Sequence, residues 1–265
     1  MSFVAQTLLH PKVNQTLAVL ATSLGREKVA RLFQYLSRLL AWYFARRGSF
    51  VTADRFAGLK EGLAAGRKVI RLVKPIEFLQ TAIKLTARPV TTSGRAGQVA
   101  HVTQIGRQVA LAGYYTFEML VWLGTNRALR VDKDRLTRLN RLAFKCWLTG
   151  ISLSLISTGS SLVKLRADGR RFALANSVAR REYQEKSPED RVREEEERRE
   201  KGRALLAQRQ TLLSQLVMDS CDFWIPATTL GYTNLNEGVI GVLGALTSYM
   251  AIQIQWRKHA SAARK

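Results

Sequence analysis

Cysteine, histidine and acidic residues are all scarce in this sequence, and each scarcity removes a class of function. Of 265 residues only two are cysteine, Cys146 and Cys221, far apart and without histidines beside them. That pattern gives neither a disulfide framework nor a zinc site, and it suits a reducing compartment. Among the three histidines, His101 sits in a helical pattern with no second ligand at helical spacing, so it reads as a packed or exposed helix residue. There is no phosphate loop, nucleophile elbow, metal-ligand cluster or pair of acids in an apolar setting. Catalysis is therefore not expected, and no cofactor is implied. The opening residues, MSFVAQTLLHPK, lack the basic and long apolar regions of a secretory signal. The closing AARK is neither a peroxisomal-matrix nor an endoplasmic-reticulum retention address.

The shortage of acid leaves a large excess of base. Lys and Arg number 42 against 20 Asp and Glu, a formal net charge of +22, and residues 1–145 alone hold 24 basic against 7 acidic residues. A field of that size calls for a negative partner, either nucleic acid or the anionic face of a membrane. Residues 27–45 interleave arginines with aromatics, as a nucleic-acid surface would. There, however, the aromatics share a stripe with leucines and no recognition motif accompanies the charge. A packed or lipid-facing side is the better reading, and no nucleic-acid partner is expected.

Apolar residues recur at three- and four-residue steps along most of the chain, which predicts an all-α fold. The expected architecture is a multi-helix membrane protein with amphipathic interfacial helices and one or two transmembrane helices. Within a basic helical region at residues 1–145, His10 and Pro11 make a turn before a helix over 12–24, with Gly25 as its C-cap. A second helix covers 27–45 and is closed by Arg46, Arg47 and Gly48. Residues 88–97 read as a loop, and a long helix runs over 98–123. Glu118 interrupts its most apolar part, which favours a buried or interfacial helix over a span.

Residues 146–163, CWLTGISLSLISTGSSLV, carry no charge but are rich in Ser and Thr, so a first transmembrane span and a buried bundle helix both stay open. Residues 164–210 are mixed in charge and read as a solvated loop or an exposed helix, with Ser187 and Pro188 opening a helical turn. In the carboxyl-terminal region, 211–265, Trp224, Pro226 and Tyr232 mark a turn-rich approach to the clearest span. That span is residues 238–256, nineteen without charge, followed at once by Arg257 and Lys258. The twenty residues before it contain no Lys or Arg, so the positive-inside rule puts the carboxyl terminus in the cytosol. Along one side of the span, Gly238, Gly241, Gly244, Ala245 and Ser248 admit close approach of another helix in lipid.

Residues 59–85, LKEGLAAGRKVIRLVKPIEFLQTAIKL, divide into two faces. At about 100° per residue, Leu59, Leu63, Val69, Ile70, Leu72 and Val73 gather on one side with Gly62, Ala65 and Gly66. Lys60, Arg67, Lys68, Arg71 and Lys74 take the other, and Pro75 predicts a bend or fresh start. Such a helix can lie in an anionic membrane surface, apolar stripe among the lipids and cations at the headgroups, or serve as a surface helix of a bundle.

Three segments then carry a resemblance. HPKVNQTLAVLATSLGREKVARLFQYLSRLLAWYF, RKVIRLVKPIEFLQ and DFWIPATTLGYTNLNEGVIGVLGALTSYMAIQIQW, in that order, resemble the peroxin-11 family of peroxisomal membrane proteins in its fungal form. The resemblance implies a helical protein of the peroxisomal membrane that elongates the membrane before division. It also implies self-association into homo-oligomers, recruitment and stimulation of the dynamin-related fission GTPase and its membrane adaptor, and contact with anionic phospholipid. The family's remodelling helix falls on residues 59–85 and its carboxyl-terminal span on 238–256. Residues 164–210 match no motif of the family. A pore for small metabolites, lined by residues 146–163 of assembled copies, is the alternative.

Overall fold

The helical periodicity is realised as eight helices and no strand among the residues described by the computed structural model, 9–88, 94–181 and 188–262. They are α1 (Pro11–Ala21), α2 (Ser23–Arg46), α3 (Phe50–Ile70), α4 (Lys74–Thr86), α5 (Gly94–Thr125), α6 (Lys133–Arg181), α7 (Pro188–Thr229) and α8 (Glu237–Ala262). Residues 89–93 of the loop read at 88–97, and Ser187, lie outside the described residues, while 94–97 are not loop but the first turn of α5.

Several boundaries have plain local causes. Pro11 occupies the first turn of α1, where the missing N–H would have no intrahelical acceptor, and the His10 side chain accepts from the Lys12 N–H. The first helix breaks earlier than the glycine predicts. Thr22 adopts extended backbone, its hydroxyl caps the Gly25 N–H at 3.0 Å, and Gly25 lies inside α2. Gly25 is therefore no C-cap: a Cβ there would meet the Val19 carbonyl oxygen at 2.0 Å, so the residue lets two helices cross closely. Gly48, at φ +77°, makes the turn from α2 into α3. Pro75 does start a new helix, with a three-residue break at 71–73 before α4. Pro226 marks no turn and lies inside α7, which ends only at Thr229.

The mixed-charge residues 164–210 are helical wherever they are described, divided between the end of α6 and the start of α7. The two helices approach there: a Cβ on Gly202 would touch the Phe172 ring at 3.7 Å. Ion pairs at i, i+4, Arg198–Glu194 and Arg199–Glu195, lace the exposed side of α7.

Consecutive helices pack on one another except α3 and α4, which meet only at their break, and α2 closes the bundle against α8, with α1 packed on both. Gln15 of α1 seals this contact by donating to the Trp256 carbonyl at 2.9 Å. The centre is a small apolar cluster of Tyr35, Ile225 and Ile240, with Trp147, Leu235 and Ala245 packed on it. Around it the buried residues are mixed, with Val19, Val121, Ile151, Leu165 and several alanines beside many polar groups. Glu27, Arg31, Arg67, Arg71, Gln108, Ser154, Ser157, Thr158, Asp219, Thr247 and Ser248 are buried, while Val73, Ile76, Ile83, Val102 and Val163 lie at the surface. So much buried charge beneath exposed apolar side chains is uncommon in a water-soluble bundle and agrees with one solvated by lipid. Among the described residues two helices are long and apolar enough to cross a membrane, over Lys133–Val178 and Glu237–Ala260, and only 28% and 33% of their most apolar stretches are buried.

Candidate membrane-facing surface and its buried ion pairs

The two faces of α3 and α4 point the opposite way from an ordinary bundle helix. Leu59, Val69, Ile70 and Val73 are exposed, Val73 by 63%, and Ile76, Leu79 and Ile83 continue the strip along α4. Leu63 and Leu72 are half-buried at its margin. This apolar strip faces away from the bundle.

The expected basic face divides. Lys60, Lys68 and Lys74 are half-buried, and Lys74 pairs locally with Glu77 at 2.5 Å. Arg67 and Arg71 do not reach outward to headgroups as their spacing predicts; they turn inward and are buried. Arg67 grips Glu27 of α2 through Nη2 at 2.6 Å and Nε at 3.0 Å, and also donates to Gln34. Arg71 donates to Glu118 of α5 at 2.8 Å, and its ring neighbour Tyr115 lies beneath the guanidinium. Tyr114 donates to the same carboxylate at 3.0 Å. The cause is electrostatic. Glu27 and Glu118 lie on helix faces that the bundle buries, and a buried carboxylate without a partner is costly, whereas a planar guanidinium satisfies it in a fork.

A third pair extends the network. Arg31 of α2 donates to Oδ1 of Asp222 at 2.7 Å, and Thr247 of α8 donates to that same oxygen at 2.7 Å. Arg38 meets Glu237 in a bidentate pair, both distances 2.6 Å, at the entrance to α8. Deeper in the bundle Ser154 donates to Asp219 at 2.5 Å, and Gln215 donates to its other oxygen at 2.8 Å.

Burial pushes the Glu27 carboxyl up, but Lys28, Arg67 and Arg71 outweigh it and hold Glu27 well below the usual carboxylate range. For Arg31 and Arg71 burial works against the charge, and the partners, Asp222 for one and Tyr114 with Glu118 for the other, more than offset it. Asp219 has the opposite balance: burial raises it further than its hydrogen bonds from Ser154 and Gln215 lower it.

The small-residue side of the span is occupied within the chain. A Cβ on Gly238 would meet the Trp42 ring at 2.6 Å, on Gly241 the Leu39 backbone nitrogen at 2.9 Å, and on Gly244 the Tyr35 ring at 2.2 Å. Ala245 packs on the Tyr35 cluster, and Ser248, fully buried, donates to the Gly244 carbonyl. The helix that approaches closely is α2 of the same chain, so this face is not open to a second copy. The open small-residue strip is on α3, where Gly58, Gly62 and Gly66 have nothing within 4 Å of a notional Cβ.

Glu27, Asp222 and Asp219 escape the sequence reading because single acids inside amphipathic segments look like solvated charges. Glu118 is the one whose apolar surroundings give it away. Among the described residues no three His, Cys, Asp or Glu come together as a metal site.

The family model of peroxisomal biogenesis factor 11 (PEX11) matches residues 13–256. Peroxisomal membrane protein PMP27 of Saccharomyces cerevisiae is 27% identical over 255 residues, 96% of this chain and 99% of the relative. PMP30A of Candida boidinii is 26% identical, covering 95% of this chain and 96% of its own length. Peroxisomal biogenesis factor 11 of Schizosaccharomyces pombe is 21% identical, covering 93% and 96%. No solved structure matches the chain. An interior of ion pairs, an apolar exterior and a match along nearly the whole length agree: the chain belongs to the peroxisomal biogenesis factor 11 family and, with its relatives, to the proteins of the peroxisomal membrane.

Proposed function

We propose that this protein elongates the peroxisomal membrane into tubules and so promotes fission and proliferation of the organelle. The observation that carries the proposal is the outward apolar strip of α3 and α4, anchored from behind by Arg67–Glu27 and Arg71–Glu118. Side chains such as Val69, Ile70, Val73, Ile76, Leu79 and Ile83 enter one leaflet as a wedge, each contributing on the order of 1 kcal/mol on transfer from water. Lys60 and Lys84 hold anionic headgroups at the rim, on the order of 1 kcal/mol apiece. Because the wedge is braced by buried ion pairs, the area it adds to one leaflet is held at a fixed angle to the spans. Copies gathered in one patch give a tubule that the dynamin-related fission GTPase and its adaptor can encircle. The action is mechanical, with no catalytic step, and the carboxyl terminus after α8 is cytosolic.

The test is reconstitution of the full chain into liposomes of anionic or neutral lipid, with shape followed by electron microscopy. Tubules should form on anionic vesicles and be lost in Val73→Asp/Ile76→Asp, whose helix content is unchanged. Tubules of equal number with that variant would sink the proposal.

A second reading, conduction of small metabolites, is favoured by a cavity of about 440 Å³ lined by Ser157, Thr158, Ser161, Gln104, Arg107 and Lys164. It adjoins a cavity of about 280 Å³ through Arg107 and Gln215. Planar-bilayer conductance that changes with Ser161→Leu is its signature, and tubulation needs no such current.

A further inference from the structure

A third cavity, of about 290 Å³, lies among α2, α3, α5, α6 and α7, behind the ion pairs that brace the apolar strip. Its wall holds six cations, Lys28, Arg31, Arg38, Arg67, Lys68 and Arg71, against three acids, Glu27, Glu118 and Asp222. Each acid is taken by an arginine, and Arg38 is taken by Glu237 outside the wall. Two cations are left over. Lys28 only shares Glu27 with Arg67, at 3.0 Å, and Lys68 makes no ion pair among the described residues. Donors are left over as well. Arg31 donates through Nη2 alone and Arg71 through Nε and Nη2. Nε and Nη1 of Arg31 and Nη1 of Arg71 therefore meet no acceptor among the described residues.

A chamber walled by surplus positive charge and unspent guanidinium donors is shaped for an oxyanion. Each unspent N–H can donate to a phosphate oxygen, and a phosphate satisfies at once the charge and the donors that the protein leaves open. The volume sets an upper bound: it is at the small end of ligand sites, enough for a phosphate with a short polar substituent and too little for a nucleotide. We propose that this cavity binds a small phosphate-bearing anion, supplied either as a free phosphate monoester or as the headgroup of an anionic phospholipid. Binding there ties α2, α3, α5 and α7 together through one ligand, independently of whether the outer strip of α3 and α4 bends a membrane.

Two arms of one experiment separate the sources. In the first, the full chain in phosphatidylcholine nanodiscs is titrated with glycerol 3-phosphate by calorimetry. In the second, nanodiscs containing phosphatidic acid are used without soluble phosphate, and lipid retained on the protein after detergent extraction is counted by native mass spectrometry. Lys28→Gln/Lys68→Gln lowers the cavity charge by two while keeping every arginine–carboxylate pair. Lys68→Gln alone touches no ion pair and guards against misfolding of the double variant. Arg130→Gln/Lys133→Gln removes the same charge from exposed residues outside both the cavity and the rim of the apolar strip. One ligand per chain is expected in at least one arm, weakened at least tenfold by the cavity double variant, measurably by Lys68→Gln, and less than twofold by the outer pair. Uptake of glycerol 3-phosphate identifies the free monoester, and retention of phosphatidic acid alone identifies the headgroup. Absence of binding in both arms, or equal loss with the cavity and outer variants, overturns the proposal.

Discussion

Arg67 of α3 and Glu27 of α2, forty residues apart, meet at 2.6 Å with both side chains more than nine-tenths enclosed. The pair turns the basic side of an amphipathic helix toward its neighbours and leaves the apolar side to the surroundings. Removing one partner strands the other charge, which costs roughly 3–5 kcal/mol for a buried pair. Arg67→Met and Glu27→Gln should each lower the thermal midpoint of the detergent-solubilised protein by several degrees, followed by circular dichroism. The double variant should recover much of that loss. Charge reversal at Arg67 or Arg71 therefore reports on folding before it reports on lipid, and a reversal that leaves the midpoint unchanged would refute the inward placement.

Acid should loosen the same contact. Glu27 has a folded pKa held well below its unfolded value, so the folded state binds fewer protons, and the stability it contributes is fully present above the unfolded pKa of about 4.3. It is lost progressively as the pH falls below that value toward the depressed one. The difference in unfolding midpoint between the native chain and Glu27→Gln, measured between pH 7 and pH 3, should be constant down to about pH 5 and then shrink.

How much of this was open to sequence reasoning follows from what periodicity contains. Spacing of Leu32, Leu36, Leu39 and Phe44, or of Val69, Ile70 and Val73, gives the helix and the angle between its two faces. It does not give the sign of the surroundings. In water the apolar face of α3 would be buried; where lipid covers the exterior, Arg67 and Arg71 are the side that must find partners inside. The two faces of residues 59–85 were therefore readable, and the direction of the arginines was not, because it depends on Glu27 and Glu118 in other helices. Likewise the small-residue side of α8 announces a close helix contact, and nothing local says that Trp42, Leu39 and Tyr35 make it. The Gly25 break escaped for the same reason: its cause is the Val19 carbonyl pressed against it.

Two glycine substitutions should separate a covered strip from an open one. In Gly244→Ala the new methyl would sit 2.2 Å from the Tyr35 ring, forcing α2 and α8 apart, and a cost of about 1–3 kcal/mol is expected for overpacking. Gly62→Ala meets nothing within 4 Å and should be neutral or stabilising by up to about 1 kcal/mol through helix propensity. Urea or thermal unfolding of the two variants in the same detergent gives opposite signs on this account. Equal effects would mean that α2 does not lie on α8.

Asp222 offers the sharpest test of how the helices are tied together, because one of its oxygens accepts from both Arg31 of α2 and Thr247 of α8. Asp222→Asn keeps the shape and removes the charge, so Arg31 is left buried beside a neutral amide, and several kcal/mol should be lost. Thr247→Val removes the hydrogen bond to this charged acceptor, at a cost of about 1.5–3 kcal/mol, together with the longer one of 3.2 Å to the Gly244 carbonyl, and leaves the Arg31 pair intact. If the shared oxygen is the junction of α2, α7 and α8, Asp222→Asn combined with Thr247→Val should be little worse than Asp222→Asn alone, since the second change removes a bond already weakened. Full additivity of the two unfolding free energies would show that Arg31 and Thr247 reach Asp222 independently, and the junction would then be two separate contacts.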